Sequence, residues 1–370
     1  MRKVTSLIFA LALSSAAFAQ KTNYNLLVGT YTNGGKSEGI YTYQFNTITA
    51  KATLKSVAKK TDNPSYLAIS PDRKFVYAVN ETGNTSTVSA FKYNNLTGEL
   101  SFLNKVDSQG ADPCHITVDG KNVIVANYSG GSLAVFARMA DGSIAEAKQI
   151  IKHTGKSIDP KGRQQSAHVH MVQFTPDHKY LICNDLGEDL TYIYNYNPLA
   201  KSTVLSIKTV LKTNAGSGPR HITFSPNGRF AYLAHEFNGK ITGFVYSKGN
   251  LKKIQEIGTT PKDFTGKIDG ADIHVSPDGK FLYETNRGDA NTISVFSILP
   301  TGILRFVETV STLGKGPRNF SIDPSGKFLL VGHQYTNDVV VFNRNKITGK
   351  LTDSGKRIAV GAPVCLVFDK

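Results

Sequence analysis

The chain has 370 residues, 40% apolar and 19% charged, with 43 lysines and arginines against 28 aspartates and glutamates for a formal charge of +15. That is the composition of an ordinary globular body, and its basic excess favours small anionic partners through the long-range field. The lysines are scattered without a dense block and no nucleic-acid motif accompanies them, so a nucleic-acid partner is not expected.

Arg2 and Lys3 precede an apolar run from Leu7 to Leu13, and Ala17-Phe18-Ala19 before Gln20 has the small-x-small form of a signal-peptidase site. Residues 1–19 therefore read as a secretory signal, and removing them leaves 41 basic against 28 acidic residues, or +13. The mature protein is expected to be exported, periplasmic or secreted. No second long apolar run follows, so no membrane span is expected. Residues 20–370 read as one domain.

Strand-like runs begin at once, with Leu26-Leu27-Val28-Gly29-Thr30-Tyr31, Gly39-Ile40-Tyr41-Thr42-Tyr43 and Ala52-Thr53-Leu54-Lys55. A repeat then takes over. Its fullest copy runs from Gly218 to Tyr232, as Gly-Pro-Arg-His-Ile-Thr-Phe-Ser-Pro-Asn-Gly-Arg-Phe-Ala-Tyr. Weaker copies centre on Ser70-Pro71-Asp72, Thr175-Pro176-Asp177, Ser276-Pro277-Asp278 and Asp323-Pro324-Ser325, with a worn one at Val118-Asp119-Gly120. Anchored on Pro64, Pro113, Val169, Pro219, Gly270, Pro317 and Pro363, the intervals are 49, 56, 50, 51, 47 and 46 residues. Each period holds a short apolar run, a Pro/Asp/Gly turn, an aromatic-apolar run and two further strand-like stretches, which is a four-stranded propeller blade.

The last segment, Pro363-Val364-Cys365-Leu366-Val367-Phe368, looks like a first strand that then stops. Joined to the three N-terminal runs it completes a seventh blade and clasps the ring. The expected fold is all-β, a seven-bladed β-propeller of four antiparallel strands per blade. A closed ring hides its own edges, so a monomer is expected. Cys114, Cys183 and Cys365 lie in different repeats without Cys-x-x-Cys spacing, and fit buried free thiols better than a disulfide framework or a zinc site.

Since the Ser-Pro-Asp-Gly turn closes the first hairpin of each blade at one face, the start of strand one and the end of strand two meet at the other. Two polar columns therefore converge on one channel mouth. The first includes His170, Arg220/His221, Asp272 and Arg318, and the second includes Tyr31, Tyr128, Glu236, Arg287 and Gln334. The turn-bearing face reads as structural only. His168-x-His170 places two imidazoles on one strand face, a pattern open to substrate contact, packing or metal ligation. Gly-x-Ser-x-Gly and phosphate-loop motifs are missing, which argues against a serine hydrolase or a nucleotide enzyme.

Gly29-Thr30-Tyr31-Thr32, Asn127-Tyr128-Ser129-Gly130-Gly131-Ser132, His168-Val169-His170, Gly218-Pro219-Arg220-His221, His235-Glu236, Ala271-Asp272-Ile273-His274, Asn286-Arg287 and Gly316-Pro317-Arg318-Asn319-Phe320 occur in order along the chain. In these the sequence resembles the seven-bladed propeller lactonases, the family of bacterial 6-phosphogluconolactonases, with propeller carboxymuconate-lactonizing enzymes among its relatives. The resemblance implies hydrolysis of a sugar-acid lactone; the sequence itself gives no reason to expect a cofactor or a metal. The resemblance places catalytic roles on His170, Glu236, Arg220 and Arg287, with Arg318 a further candidate for substrate contact; the position of His168, His221, Tyr31, Tyr128, Asp272 and Gln334 at the polar mouth makes them the other candidate substrate contacts. His170 and Glu236 are both open as the base. A lactonizing cyclase and a ligand-binding propeller remain as alternatives. An export signal fits poorly with a cytoplasmic sugar phosphate, which leaves an unphosphorylated aldonolactone open as substrate.

Overall fold

In the computed structural model, which describes residues 21–158, 162–261 and 263–370, the strands form seven four-stranded antiparallel sheets. The expected signal segment, residues 1–19, lies outside the described residues. First strands of successive blades touch one another around the axis, while the fourth strands are half-exposed at the rim. The clasp forms as expected: Pro363–Phe368 pairs with Asn23–Thr30, which pairs with Gly39–Asn46 and then Ala52–Lys59.

The repeated residues earn their places by local chemistry. In the Ser-Pro-Asp turns the serine hydroxyl donates to the following carboxylate or amide oxygen and accepts the backbone N–H five residues on. Ser70, Asp72 and Phe75 do this at 2.6 and 3.0 Å, and Ser225, Asn227 and Phe230 at 2.7 and 3.0 Å. The fourth turn position has positive φ. Glycine fills it at Gly228, Gly279 and Gly326, but Arg73 and His178 also adopt it.

Strand two carries a Phe-x-Tyr pair that staples one blade to the next. The hydroxyls of Tyr77, Tyr232 and Tyr283 donate to the carbonyl oxygens of Gly142, Gly302 and Gly349, each in the following blade, at 2.7–2.9 Å. The preceding Phe75, Phe230 and Phe281 rings press on those same glycines so closely that an added Cβ would fall 2.0–2.3 Å from ring carbon. Glycine is required there on both counts, since φ is +77° to +89°.

Seven apolar clusters result, one at each blade interface; that between the last blade and the clasp joins Leu330 and Val341 to Leu26, Val28 and Leu366. The core is thus distributed around the ring, which lets one domain grow past the usual size of a single core.

Asp369, one residue beyond the last strand, ties the clasp to its neighbour. Its carboxylate accepts from Arg73 Nε and Nη2 at 2.5 and 2.9 Å and from the Tyr93 hydroxyl at 3.1 Å. Asp369→Ala strands a phenol and a guanidinium without their acceptor, and should lower stability by about 2–4 kcal/mol in chemical denaturation, with blade content unchanged by circular dichroism.

Candidate active site at the channel mouth

The first strands do not run regularly into the mouth. In six of the seven blades the register between strand one and strand two slips by one residue at the mouth end. Val169 pairs with Asp185 but Met171 with Asn184, so His170 is the extra residue; Pro219 and His221 flank Arg220 in the same way, and Pro317 and Asn319 flank Arg318. A β-bulge re-aims its extra side chain. Here it lets two consecutive residues face the channel at two levels.

The upper level brings together four of the expected residues. Glu236, 2% exposed at the end of strand two, lies 2.8 Å from Arg220 Nε and 3.3 Å from Arg287 Nη2 through Oε2, and 4.0 Å from His170 Nε2. Its other oxygen accepts from Arg163 Nη1 at 2.5 Å. Arg163 and Arg287 also reach Asp269, at 3.5 and 3.3 Å. Three arginines therefore face two carboxylates, leaving one positive charge over. Arg220 is buried and committed, its Nη1 donating to the Ala271 carbonyl, whereas Arg163 and Arg318 are half-exposed.

Sequence reasoning missed Arg163 and Asp269. Both lie just outside the strand ends that define the columns, in stretches without strand periodicity. Glu81, just past the second strand of its blade, accepts the Tyr31 hydroxyl at 2.8 Å, with the Arg318 guanidinium 5.7 Å over the Tyr31 ring.

The lower level is a different set. His221 Nδ1 lies 2.8 Å from Asp272 Oδ1, and Asp272 Oδ2 lies 2.9 Å from His274 Nε2 and 2.6 Å from the Asn319 amide. The His115 and His221 rings sit 5.6 Å apart and Tyr66 stacks on His115 at 4.1 Å, filling the channel. His221 and Asp272, grouped with the mouth from spacing, belong to this plug, because the bulge separates consecutive residues onto two levels. Beneath it a cavity of about 530 Å³, lined by Tyr66, His274 and Asn319, opens among the turns around Pro226 and Pro277, so the turn-bearing face is less featureless than its motif.

His168 precedes its strand; its ring stacks on Tyr128 at 4.4 Å and its Nδ1 meets the Tyr128 carbonyl at 3.0 Å. Gln334 lies apart, in the cleft beside Tyr31. One group of metal-capable side chains, His153, Asp185 and Glu188, has ligand atoms within 4.8 Å of one another. Both His153 nitrogens are already engaged, by Asp185 at 2.7 Å and the Tyr194 hydroxyl at 2.9 Å.

Burial alone would raise Glu236, but Arg287, Arg220 and Arg163 outweigh it and hold the carboxyl well below the usual range. Burial and the neighbouring Arg220, His221, Arg318 and Arg287 push His170 well below its ordinary value. Burial and Arg287 lower Arg220 to about 10. At neutral pH the site therefore pairs a neutral imidazole with an ionised carboxylate. His170 Nδ1 and Arg287 Nε are buried without hydrogen-bond partners among the described residues. Unpaired buried donors and acceptors cost about 1–3 kcal/mol each and concentrate where a ligand completes them.

Residues 25–368 match the family described as lactonase, 7-bladed beta-propeller. The chain belongs to the seven-bladed β-propeller lactonase family. It is 38% identical to a 6-phosphogluconolactonase of Bacillus subtilis (strain 168), with 94% of this chain and 99% of that one covered. It is 37% identical to a 6-phosphogluconolactonase of Formosa agariphila, over 90% and 96%. The solved structure of the Pseudomonas aeruginosa periplasmic gluconolactonase PpgL superposes with a TM-score of 0.89 at 36% identity, covering 94% of this chain and 99% of that one.

Glu236→Gln keeps the volume but leaves three arginines around a neutral amide. It is expected to cost about 3–5 kcal/mol of stability in denaturant titration, the range for breaking a buried ion pair. A second expectation concerns acid. His115, His170, His221 and His235 are all depressed by burial, the last two to about 4. The unfolded chain takes up protons below about pH 6.5 that the folded state refuses, so their contribution is complete above that pH and is lost as pH falls toward the folded values. Stability should drop by up to roughly 5 kcal/mol per pH unit below pH 6, since each histidine adds about 1.4. A melting temperature unchanged from pH 7 to pH 5 would contradict this.

Proposed function

We propose that this lactonase opens sugar-acid 1,5-lactones of the 6-phosphoglucono type at the upper level of the channel mouth, with His170 as general base. The observation that carries the reading is the neutral His170 beside a Glu236 carboxylate caged by three arginines, at the mouth of a lactonase-family propeller. Lactone hydrolysis is carboxylic-ester hydrolysis. Water oxygen bonds to the carbonyl carbon as its proton passes to His170, and the carbonyl oxygen becomes an oxyanion. Collapse breaks the bond to the ring oxygen, which takes that proton back, and the product is the open hydroxy acid.

Geometry favours His170 over Glu236 as base. A carboxylate so strongly stabilised in its charged form is a poor proton acceptor; His170 is also less basic than a free imidazole, but it is neutral at pH 7 and its Nδ1 has no hydrogen-bond partner among the described residues, which leaves it open to a water proton. Arg287, with Nε unspent, suits the developing oxyanion. Arg318 and Arg163, half-exposed and permanently charged, suit a phosphate or other anionic end of the substrate. The signal-like pattern of residues 1–19 supports export, and the Pseudomonas relative is named as periplasmic.

His170→Ala should lower kcat by about 10²–10⁴-fold with little change in KM, measured as initial rates above spontaneous opening. Arg318→Ala should raise KM for 6-phosphogluconolactone and leave that for gluconolactone nearly unchanged; equal loss on both would remove the anion-clamp role. Near-wild-type turnover in His170→Ala would remove the base assignment.

A further inference from the structure

Tyr31, whose ring lies under the Arg318 guanidinium, also lines a second cleft of about 550 Å³. Its lining differs in character from the cationic centre. Glu81 and Asp112 bring carboxylates, Gln334 an amide, and Tyr31 and Tyr335 aromatic rings. Much of its hydrogen-bonding capacity is unspent. Glu81 Oε2 accepts the Tyr31 hydroxyl and Asp112 Oδ1 accepts the Gly83 N–H at 2.8 Å, but the other oxygen of each carboxylate and the Gln334 side chain have no protein partner among the described residues.

Tyr335 is the independent sign. It is 66% exposed, yet it is held in place: its N–H donates to the Lys315 carbonyl, and its ring lies on Gly316, where a Cβ would approach to 2.6 Å and φ is +71°. A large aromatic face kept in solvent at the rim of a polar cleft forgoes the burial such a ring ordinarily seeks.

Two carboxylates disfavour an anion here, so this is no second phosphate pocket. An apolar ring face beside spare acceptors and an amide matches the chemistry of a pyranose, with its C–H face and several hydroxyl donors. We propose that this cleft is a subsite for an uncharged glycosyl unit attached to the lactone, so that the protein acts on glycosyl-aldonolactones as well as simple ones. The proposal rests on the lactonase reading of the mouth. The lactone ring sits at His170 and Arg287 and the attached sugar extends past Tyr31 onto Tyr335.

The test uses the mature full-length protein, wild-type and Tyr335→Ala, with glucono-1,5-lactone and 4-O-glucosyl-glucono-1,5-lactone as substrates. The expected result is a lower KM for the disaccharide lactone in the wild type, and in the variant a rise of roughly fivefold in that KM alone, the effect of losing about 1 kcal/mol of contact. Equal KM values in the wild type, or a variant that changes both substrates equally, would overturn the subsite. Calorimetric titration with the opened disaccharide acid separates the two ideas. If neither lactone is turned over, binding of that acid weakened by Tyr335→Ala still supports the subsite while the lactonase reading falls, and binding unaffected by the variant overturns the subsite itself.

Discussion

Everything at the mouth depends on one buried charge. Glu236 cannot sit 2% exposed as a carboxylate unless its surroundings supply compensation. Arg220, Arg287 and Arg163 do so from three different parts of the chain, and Asp269 takes up part of the excess. The cage fixes the arginine forks where a substrate carbonyl and an anionic substituent can meet them. It also shapes the proton inventory, since burial together with Arg220 and Arg287, two of the cations that keep Glu236 ionised, disfavours a charged His170. Removing one member is therefore expected to disturb the others, and single substitutions here should be non-additive.

The propeller makes such a cage possible by repetition with a slip. Turns, Phe-x-Tyr staples and interface clusters repeat to hold rigid inner strands around an axis, and the bulge at their mouth ends turns one extra side chain per blade into the channel. The upper level then differs from blade to blade and carries the charged cage around Glu236. The level beneath, built on Asp272 between two histidines and Asn319, plugs the channel and supports the floor of the site.

Blade count, strand order and the clasp were legible because each rests on local signals: alternation, the Ser-Pro-Asp turn, and a lone strand at the chain's end. His170, Arg220, Glu236 and Arg287 were legible through the family motifs and do converge. The two-level arrangement was not, because a bulge depends on how one strand pairs with the next, and consecutive residues such as Arg220 and His221 look equivalent until that register is known. Arg163 and Asp269 carry no periodic signal, and only the folded ring brings them to Glu236. The cleft beside Tyr31 was hidden for a similar reason, since Asp112 lies in a loop between neighbouring blades and Gln334 comes from the other end of the chain.

The proposed role of His170 depends on its protonation state, and nitrogen-15 NMR of histidine-labelled protein reads it directly. With resonances assigned by comparison with His170→Ala, the His170 ring nitrogens are expected to keep neutral-imidazole shifts as the pH falls from about 8 through the ordinary histidine midpoint near 6.5. Titration of His170 to the imidazolium form near pH 6.5 or above would contradict this, because burial and the surrounding arginines would then not be disfavouring its cation.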